Sequence, residues 1–320
     1  MKKTARAHTN IALIKYWGKK NAELRLPLMS SLSMTLDAFY SETSLETGQQ
    51  NEFYLNNQKQ SDQSAQRVFQ YLHKLQDRFG LPYDALKVSS INHVPTAAGL
   101  ASSSSAFAAL AASFCAYYDL DVDRKMLSRL ARIGSGSASR SIYGGFAIWQ
   151  KGHDDKSSYA YPLDEKPAMD LYLLAVELDQ KPKKLSSTKG MQAAQNSPFF
   201  QPWLARNDAE LNDMIAAIKN NDFTKLGSLA ELNANEMHAI NLTAQPEFTY
   251  FEPNTIKAIK LVEELRQQGI ECYYTIDAGP NVKILTPLKN IKEIKKLFLS
   301  EFSNVKIINA SFGPGVSILD

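Results

Sequence analysis

Residues Ser103–Tyr118 form an Ala-rich run that is apolar around most of its circumference. A helix with no polar face cannot lie on a surface, so it must be covered on most sides and fixes the centre of a domain. The chain enters this helix through Pro95-Thr96-Ala97-Ala98-Gly99-Leu100-Ala101-Ser102-Ser103-Ser104-Ser105, a glycine-containing loop that delivers four serines to the helix start. Unpaired N–H groups and the positive end of the helix dipole suit phosphate there, and serine hydroxyls add donors to phosphate oxygens or ligands to Mg²⁺. No Gly-Lys-Ser/Thr follows, so the loop is not a Walker A motif, and simple capping by serine is the other reading.

Periodicity places further elements around that helix. Asn10–Tyr16, Leu32–Leu36, Thr43–Thr47, Glu52–Leu55 and Leu86–Ile91 read as strands, and Ser64–Phe79 as an amphipathic helix stopped at Gly80. A helical stretch from Leu127 runs into the Gly/Ser tract Gly134–Ser141, and Gly145–Trp149 and Leu171–Val176 read as strands. Past a hinge at Lys181–Lys184, helices are expected at Ala209–Asn220, Phe223–His238 and Thr255–Gln268. Strands Glu271–Ile276, Val282–Thr286 and Val305–Asn309 then alternate with helix Ile291–Ser300, an α+β pattern.

At 320 residues the chain has room for about two domains of roughly 150 residues each, able to bury their own cores. The two cysteines, Cys115 and Cys272, exclude a disulfide scaffold and point to a reducing, cytoplasmic setting. A net charge of +3, with no basic run interleaved with aromatics, gives no reason to expect nucleic acid. No apolar run approaches the ~20 residues of a membrane span. An anionic ligand must therefore be met by locally placed Lys, Arg and backbone N–H groups.

Three other segments carry candidate chemistry. In Asn10-Ile11-Ala12-Leu13-Ile14-Lys15-Tyr16-Trp17-Gly18-Lys19, two lysines and a tyrosine end an apolar strand. Alternation puts Lys15 and Trp17 on one face and Tyr16 on the other, and a lysine in that position either serves a ligand or snorkels to solvent. In Gly134-Ser135-Gly136-Ser137-Ala138-Ser139-Arg140-Ser141, Arg140 is the only long side chain. Such a tract lets a substrate approach the backbone while the guanidinium offers a fork for a carboxylate, or it is a plain linker. In Asp277-Ala278-Gly279-Pro280-Asn281, Asp277 follows a strand and is a turn residue or an acid–base group.

In this order and spacing, the four segments resemble the diphosphomevalonate decarboxylases of the bacterial type, in the GHMP small-molecule kinase superfamily. The resemblance spans essentially the whole chain, and Lys15-Tyr16-Trp17-Gly18-Lys19 with Asp277-Ala278-Gly279-Pro280-Asn281-Val282-Lys283 is specific to the decarboxylase branch. It implies a two-domain α+β GHMP kinase fold. Residues 1–180 would form an N-terminal unit like the second domain of ribosomal protein S5, with the phosphate loop, and residues 181–320 a ferredoxin-like unit carrying the catalytic Asp. It also implies ATP and Mg²⁺, conversion of mevalonate 5-diphosphate to isopentenyl diphosphate through phosphorylation of the 3-hydroxyl, and a homodimer.

The resemblance further assigns residues. Asp277, Lys15 and Arg140 would be catalytic. Tyr16, Lys19, Ser135, Ser137, Ser139, Lys183, Lys184 and Ser187 would bind substrate. Ser90, Asn92, Pro95, Ala98, Gly99, Leu100, Ala101, Ser102, Ser103 and Ser105 would bind ATP, with Ser103 and Ser105 also on the metal. Met191, Met237 and His238 are expected to line the core or cleft, and His8 and His93 to be ordinary strand or loop residues. Thr188 departs from the family pattern, which commonly has Arg after Ser186-Ser187. Two other functions remain to be separated by assay: a kinase of the same superfamily that does not decarboxylate, and a catalytically silent ligand sensor.

Overall fold

The computed structural model describes residues 2–61, 63–93, 102–179 and 185–319. The first half of the chain runs through β1 (Lys2–Ile14), a short hairpin β2 (Lys19–Asn21) and β3 (Leu26–Pro27), the 17-residue β4 (Ser31–Thr47), β5 (Glu52–Leu55) and β6 (Gln58–Gln60). Helix α1 (Gln63–Phe79), β7 (Leu86–Asn92), helices α2 (Ser102–Tyr117) and α3 (Arg124–Gly134), a 3-10 turn over Gly136–Ile142, β8 (Phe146–Trp149) and β9 (Ala160–Asp164) follow. The main sheet has the order β1-β4-β7-β5-β6, with β8 and β9 joined at the other end of β4.

The second half contains β10 (Tyr172–Glu177), α4 (Ser187–Ala194), α5 (Phe200–Lys219), α6 (Phe223–Leu242), α7 (Pro253–Gln267), β11 (Tyr273–Thr275), β12 (Val282–Thr286), α8 (Ile291–Glu301), β13 (Lys306–Ala310) and β14 (Ser317–Ile318). Its antiparallel sheet has the order β11-β12-β10-β13. Two strands cross the expected division at residue 181: β10 lies before it in sequence, and β14 returns to pair with β1.

Helix α2 lies where its composition requires. Phe107, Leu110, Phe114 and the four alanines Ala108, Ala109, Ala111 and Ala112 are buried in one cluster with α1, α3 and the main sheet. Each large apolar side chain removed from water there contributes about 1.5–3 kcal/mol. A second cluster joins the halves: Ile11, Leu13 and Phe146 pack with Leu173, Met214, Leu226 and Leu285. The two sheets thus share apolar packing beside the cleft.

Some boundaries differ from expectation. Leu32–Leu36 and Thr43–Thr47 are parts of the single strand β4, because the chain between them stays extended, exposing Asp37 and Ala38 while burying Phe39 and Ser41. Helix α5 begins nine residues before Ala209: Pro202 sits in its first turn, where its missing N–H costs no helical bond. The short helix α4, whose Ser186 cap accepts from Lys189 N–H at 3.3 Å, has no counterpart among the expected elements.

Candidate active site

Strand β1 ends at Ile14, and the side chains after it turn inward on opposite sides, as alternation predicts. Trp17 donates to Asn241 Oδ1 at 2.8 Å, while Tyr16 packs against Trp149 with ring centroids 4.7 Å apart. Lys15 does not snorkel. Only 2% of its side chain is exposed, and its Nζ donates to Ala12 O at 2.9 Å and to Asp277 Oδ1 at 2.7 Å. The ion pair joins residues 262 apart in sequence.

Asp277 sits in the turn after β11, which is tied down because Asn281 Oδ1 accepts the N–H groups of Leu178 and Asp179 at 2.7 and 2.9 Å. Its side chain keeps 25% exposure, so one carboxylate oxygen serves Lys15 and the other edge is open to the cleft. Burial pushes the Asp277 carboxyl up, but Lys15, Lys283 and Arg140 together outweigh it and hold the group below its ordinary value. Burial likewise lowers Lys15, against the pull of Asp277.

Arg140 is 2% exposed, and its guanidinium is held by neutral acceptors: Nε and Nη2 donate to Asn10 Oδ1 at 3.3 and 3.2 Å, and Nη1 to Ser31 Oγ. Asn10 is oriented in turn by donating to Ser137 O and Ser141 Oγ. Burial draws the Arg140 pKa down to about 10, with Asp277 acting in the other direction. A buried cation with only neutral partners in contact is incompletely compensated, and an arriving carboxylate completes it.

The glycines of the 134–141 tract have a packing reason rather than the expected one of backbone approach. A Cβ on Gly134 would lie 2.1 Å from the Phe107 ring, and one on Gly136 would lie 2.8 Å from Tyr16 and 2.9 Å from Trp149. That close packing buries the Tyr16 hydroxyl with no hydrogen-bond partner among the described residues. Beside it, Ser103, Ser135 and Ser137 form a line of hydroxyls 3.2 and 3.4 Å apart. Lys19 is half-buried and donates to Thr188 Oγ1 at 3.1 Å, so the residue that departs from the family pattern orients a lysine. Burial, then the charges of Arg25 and Arg67, lowers the Lys19 pKa to about 8. These mutually repelling cations suit a polyanion.

Next to the serine line is a pocket of about 200 Å³ between the sheet, α1 and α2. Phe53, Leu55, Val68, Val88 and Phe107 give it apolar walls, and Ser90, Asn92, Ser102, Ser103 and Arg67 give it a polar end. Its apolar walls suit a planar base, and Ser102 and Ser103 at the start of α2 suit phosphate.

The structure therefore brings together Lys15, Arg140 and Asp277; groups Tyr16, Ser135 and Ser137; and places Ser90, Asn92, Ser102 and Ser103 on one pocket. Two expectations need correction. Ser105 is fully buried, donates to Ser102 O at 3.1 Å and meets Thr9 and Ser41, so it braces the helix start instead of facing phosphate or metal. Ser139 is also fully buried and spends its hydroxyl on Gly136 O at 2.7 Å. Ser187 opens α4 and is half-buried. Pro95, Ala98, Gly99, Leu100, Ala101, Lys183 and Lys184 lie outside the described residues. Met191, Met237 and His238 are buried behind the cleft; His8 is buried on β1, and His93 stacks on Tyr40.

Sequence reasoning missed Arg25 and Arg67, which look like ordinary surface residues, and gave no role to Lys283. The last carried a signal: a lysine alternating into the apolar strand Val282-Lys283-Ile284-Leu285, where it is fully buried.

The chain thus holds a pocket of about 200 Å³ at a serine-lined helix start and a buried Lys–Asp pair, the parts that a phosphotransferase acting on a small molecule needs. The comparisons specify it further. The family described as diphosphomevalonate decarboxylase-like N-terminal domain matches residues 7–160, and the mevalonate 5-diphosphate decarboxylase C-terminal domain matches residues 173–314. The diphosphomevalonate decarboxylase of Ganoderma lucidum is 36% identical over 97% of this chain and 84% of its own. The mevalonate diphosphate decarboxylase of Staphylococcus aureus superposes with a TM-score of 0.94 at 44% identity, covering 100% of this chain and 98% of that one. MDDEF, solved in complex with MVAPP, AMPPCP and magnesium, also gives 0.94, at 43% identity and 100% and 99% coverage. The chain belongs to the diphosphomevalonate decarboxylase family, with its two-domain α+β GHMP kinase fold.

Proposed function

We propose that Lys15, Asp277 and Arg140 carry out the family reaction in this chain: ATP-dependent decarboxylation of mevalonate 5-diphosphate to isopentenyl diphosphate, with release of ADP, phosphate and CO₂. The 2.7 Å Lys15–Asp277 contact, closed across the cleft between two units, carries the assignment. A tertiary alcohol is a far weaker acid than a carboxylic acid of pKa about 3.9, so Asp277 cannot hold a free alkoxide. It orients the 3-hydroxyl and takes its proton late, which suffices for a loose phosphoryl-transfer transition state. Lys15 keeps Asp277 ionised and offsets charge as the 3-phosphate forms and leaves.

Arg140 binds the substrate carboxylate. Gripping that charge opposes its loss as CO₂, so the contribution is geometric: the guanidinium, fixed by Asn10 and Ser31, holds the C–COO⁻ bond antiperiplanar to the departing phosphate. Tyr16, Lys19, Ser135 and Ser137, with Ser187, Lys183 and Lys184, take the diphosphate end. Ser90 and Asn92 face the base, and the Pro95–Ser103 loop takes the ATP phosphates.

Mg²⁺ shields phosphate charge during transfer when bound. Among the described residues no group of three or more His, Cys, Asp or Glu side chains could hold it. The oxygen donors present suit a hard cation, which Ser103 would help to hold and which would take its other ligands from phosphate. The binding of MVAPP, AMPPCP and magnesium by MDDEF supports this reading. The division into a phosphate-loop unit of residues 1–180 and an Asp277-bearing unit of residues 181–320, a homodimeric assembly and a cytoplasmic location belong to the same proposal.

The test is ADP release with mevalonate, its 5-phosphate and its 5-diphosphate. Strong preference for the diphosphate is expected, because Tyr16 and Lys19 gain a second phosphate only from that substrate. Comparable kcat/KM for the two phosphates would contradict it and favour a kinase acting on the monophosphate.

A further inference from the structure

Helix α6 lies against the end of β1, and three of its buried polar side chains grip the two segments that carry the ion pair. Asn233 Oδ1 accepts the main-chain N–H of Lys15 at 2.7 Å. Asn241 Oδ1 accepts the Trp17 indole N–H, and His238 Nε2 lies 3.3 Å from the carbonyl oxygen of Ile276, the residue before Asp277. One helix therefore touches both sides of the Lys15–Asp277 contact from behind the cleft.

Asn233 is itself held. Its Nδ2 donates to Glu210 Oε2 on α5 at 2.6 Å, and both residues are buried. Arg206 ion-pairs with Glu210 and with the adjacent Glu236, at 3.1 and 3.0 Å. An amide has one accepting and one donating end, and here the two neighbours dictate which is which: a backbone N–H requires the oxygen, and a carboxylate requires the nitrogen. The Lys15 main chain, and so the root of its ammonium, is pinned by a side chain that cannot rotate without losing both bonds.

We infer that Asn233, oriented by Glu210, is a positioning residue for the reaction, holding the main chain at Lys15 so that the ammonium reaches Asp277. The inference rests on the reading of Lys15 and Asp277 as the catalytic pair. The charged groups facing Asp277 are Lys15, Lys283 and Arg140. His238 is neutral there, its pKa lowered to about 3 by burial. If Lys15 loses its anchor, only Lys283 and Arg140 stay in place, and the Asp277 carboxyl titrates at a higher pH.

The experiment measures kcat, KM for mevalonate diphosphate, the kcat–pH profile and the thermal midpoint of the full chain for Asn233→Ala, Asn233→Asp and Asn233→Asp/Glu210→Gln. Asn233→Ala is expected to lower kcat about tenfold or more, with a smaller change in KM, and to move the acid limb of the profile upward. Asn233→Asp sets two carboxylates against each other. The double variant exchanges donor and acceptor at constant charge, and is expected to regain at least about threefold in kcat over Asn233→Asp alone.

A lower thermal midpoint with the acid limb unmoved would make the role of Asn233 structural and overturn the inference. Should Asn233→Ala not fold, absence of recovery in the double variant overturns it equally. Asp277→Asn assayed in parallel separates the two readings, since near-normal activity there removes the catalytic pair whatever Asn233 does.

Discussion

Asp277→Asn is expected to lower turnover by at least about 10²-fold while leaving ATP and mevalonate diphosphate binding nearly intact, because the amide keeps the shape but cannot take the proton. The loss has a second origin. Lys15 is buried, and with a neutral amide in place of the carboxylate its ammonium loses its ion-pair partner and is harder to keep charged, so the field that offsets the departing phosphate weakens. In the unmodified protein Lys15, Lys283 and Arg140 hold Asp277 below its ordinary value, so the loss of activity that comes from its protonation is expected only below the usual carboxylate range. Lys15→Met removes the nearest cation and moves that acid limb upward. Single-turnover rates and equilibrium binding of the diphosphate distinguish chemistry from affinity; a variant with more than a tenth of the original kcat contradicts the assignment.

Arg140→Lys is expected to be nearly as severe, with a fall in kcat of about 10²-fold. The guanidinium spends three N–H groups on Asn10 and Ser31, which leaves two for a carboxylate. A lysine has one nitrogen with which to do both, and cannot grip a carboxylate in two places. Because the proposed role is alignment, the defect should fall on CO₂ formation more than on ADP formation. Steady-state measurement of both products reads this directly, and near-normal rates of each would place the carboxylate site elsewhere.

Features whose cause is local were legible in the chain. An all-round apolar helix announces its own burial, and the serines before it announce a helix start, so α2 and the polar end of the pocket beside it follow from neighbouring residues. Lys15, Arg140 and Asp277 could be named as candidates because each interrupts a pattern: a lysine ending an apolar strand, an arginine among small residues, an acid at a strand end.

What stayed hidden depends on partners distant in sequence. Nothing near Ser105 or Ser139 says that Thr9, Ser41 and the carbonyls of Ser102 and Gly136 will consume or bury their hydroxyls. The glycines at 134 and 136 read as backbone freedom, and only the packed rings of Phe107, Tyr16 and Trp149 give them a steric reason. Asn233 and Glu210 look like polar residues on amphipathic helices until α5 and α6 close over the end of β1. Asp37–Glu42 lies between the two expected strands, yet Tyr40, Ser41 and Glu42 pair with β1, and the last two also with β7, so the chain stays extended.

The central claim is that one site both phosphorylates a tertiary alcohol and directs loss of the neighbouring carboxylate. Incubation of the purified chain with ATP, Mg²⁺ and mevalonate 5-diphosphate labelled at the carboxyl carbon tests it, with ADP, phosphate and CO₂ followed together. The account predicts that the three products appear in equal amounts throughout the time course. ADP accumulating with a stable phosphorylated product and without stoichiometric CO₂ would contradict it.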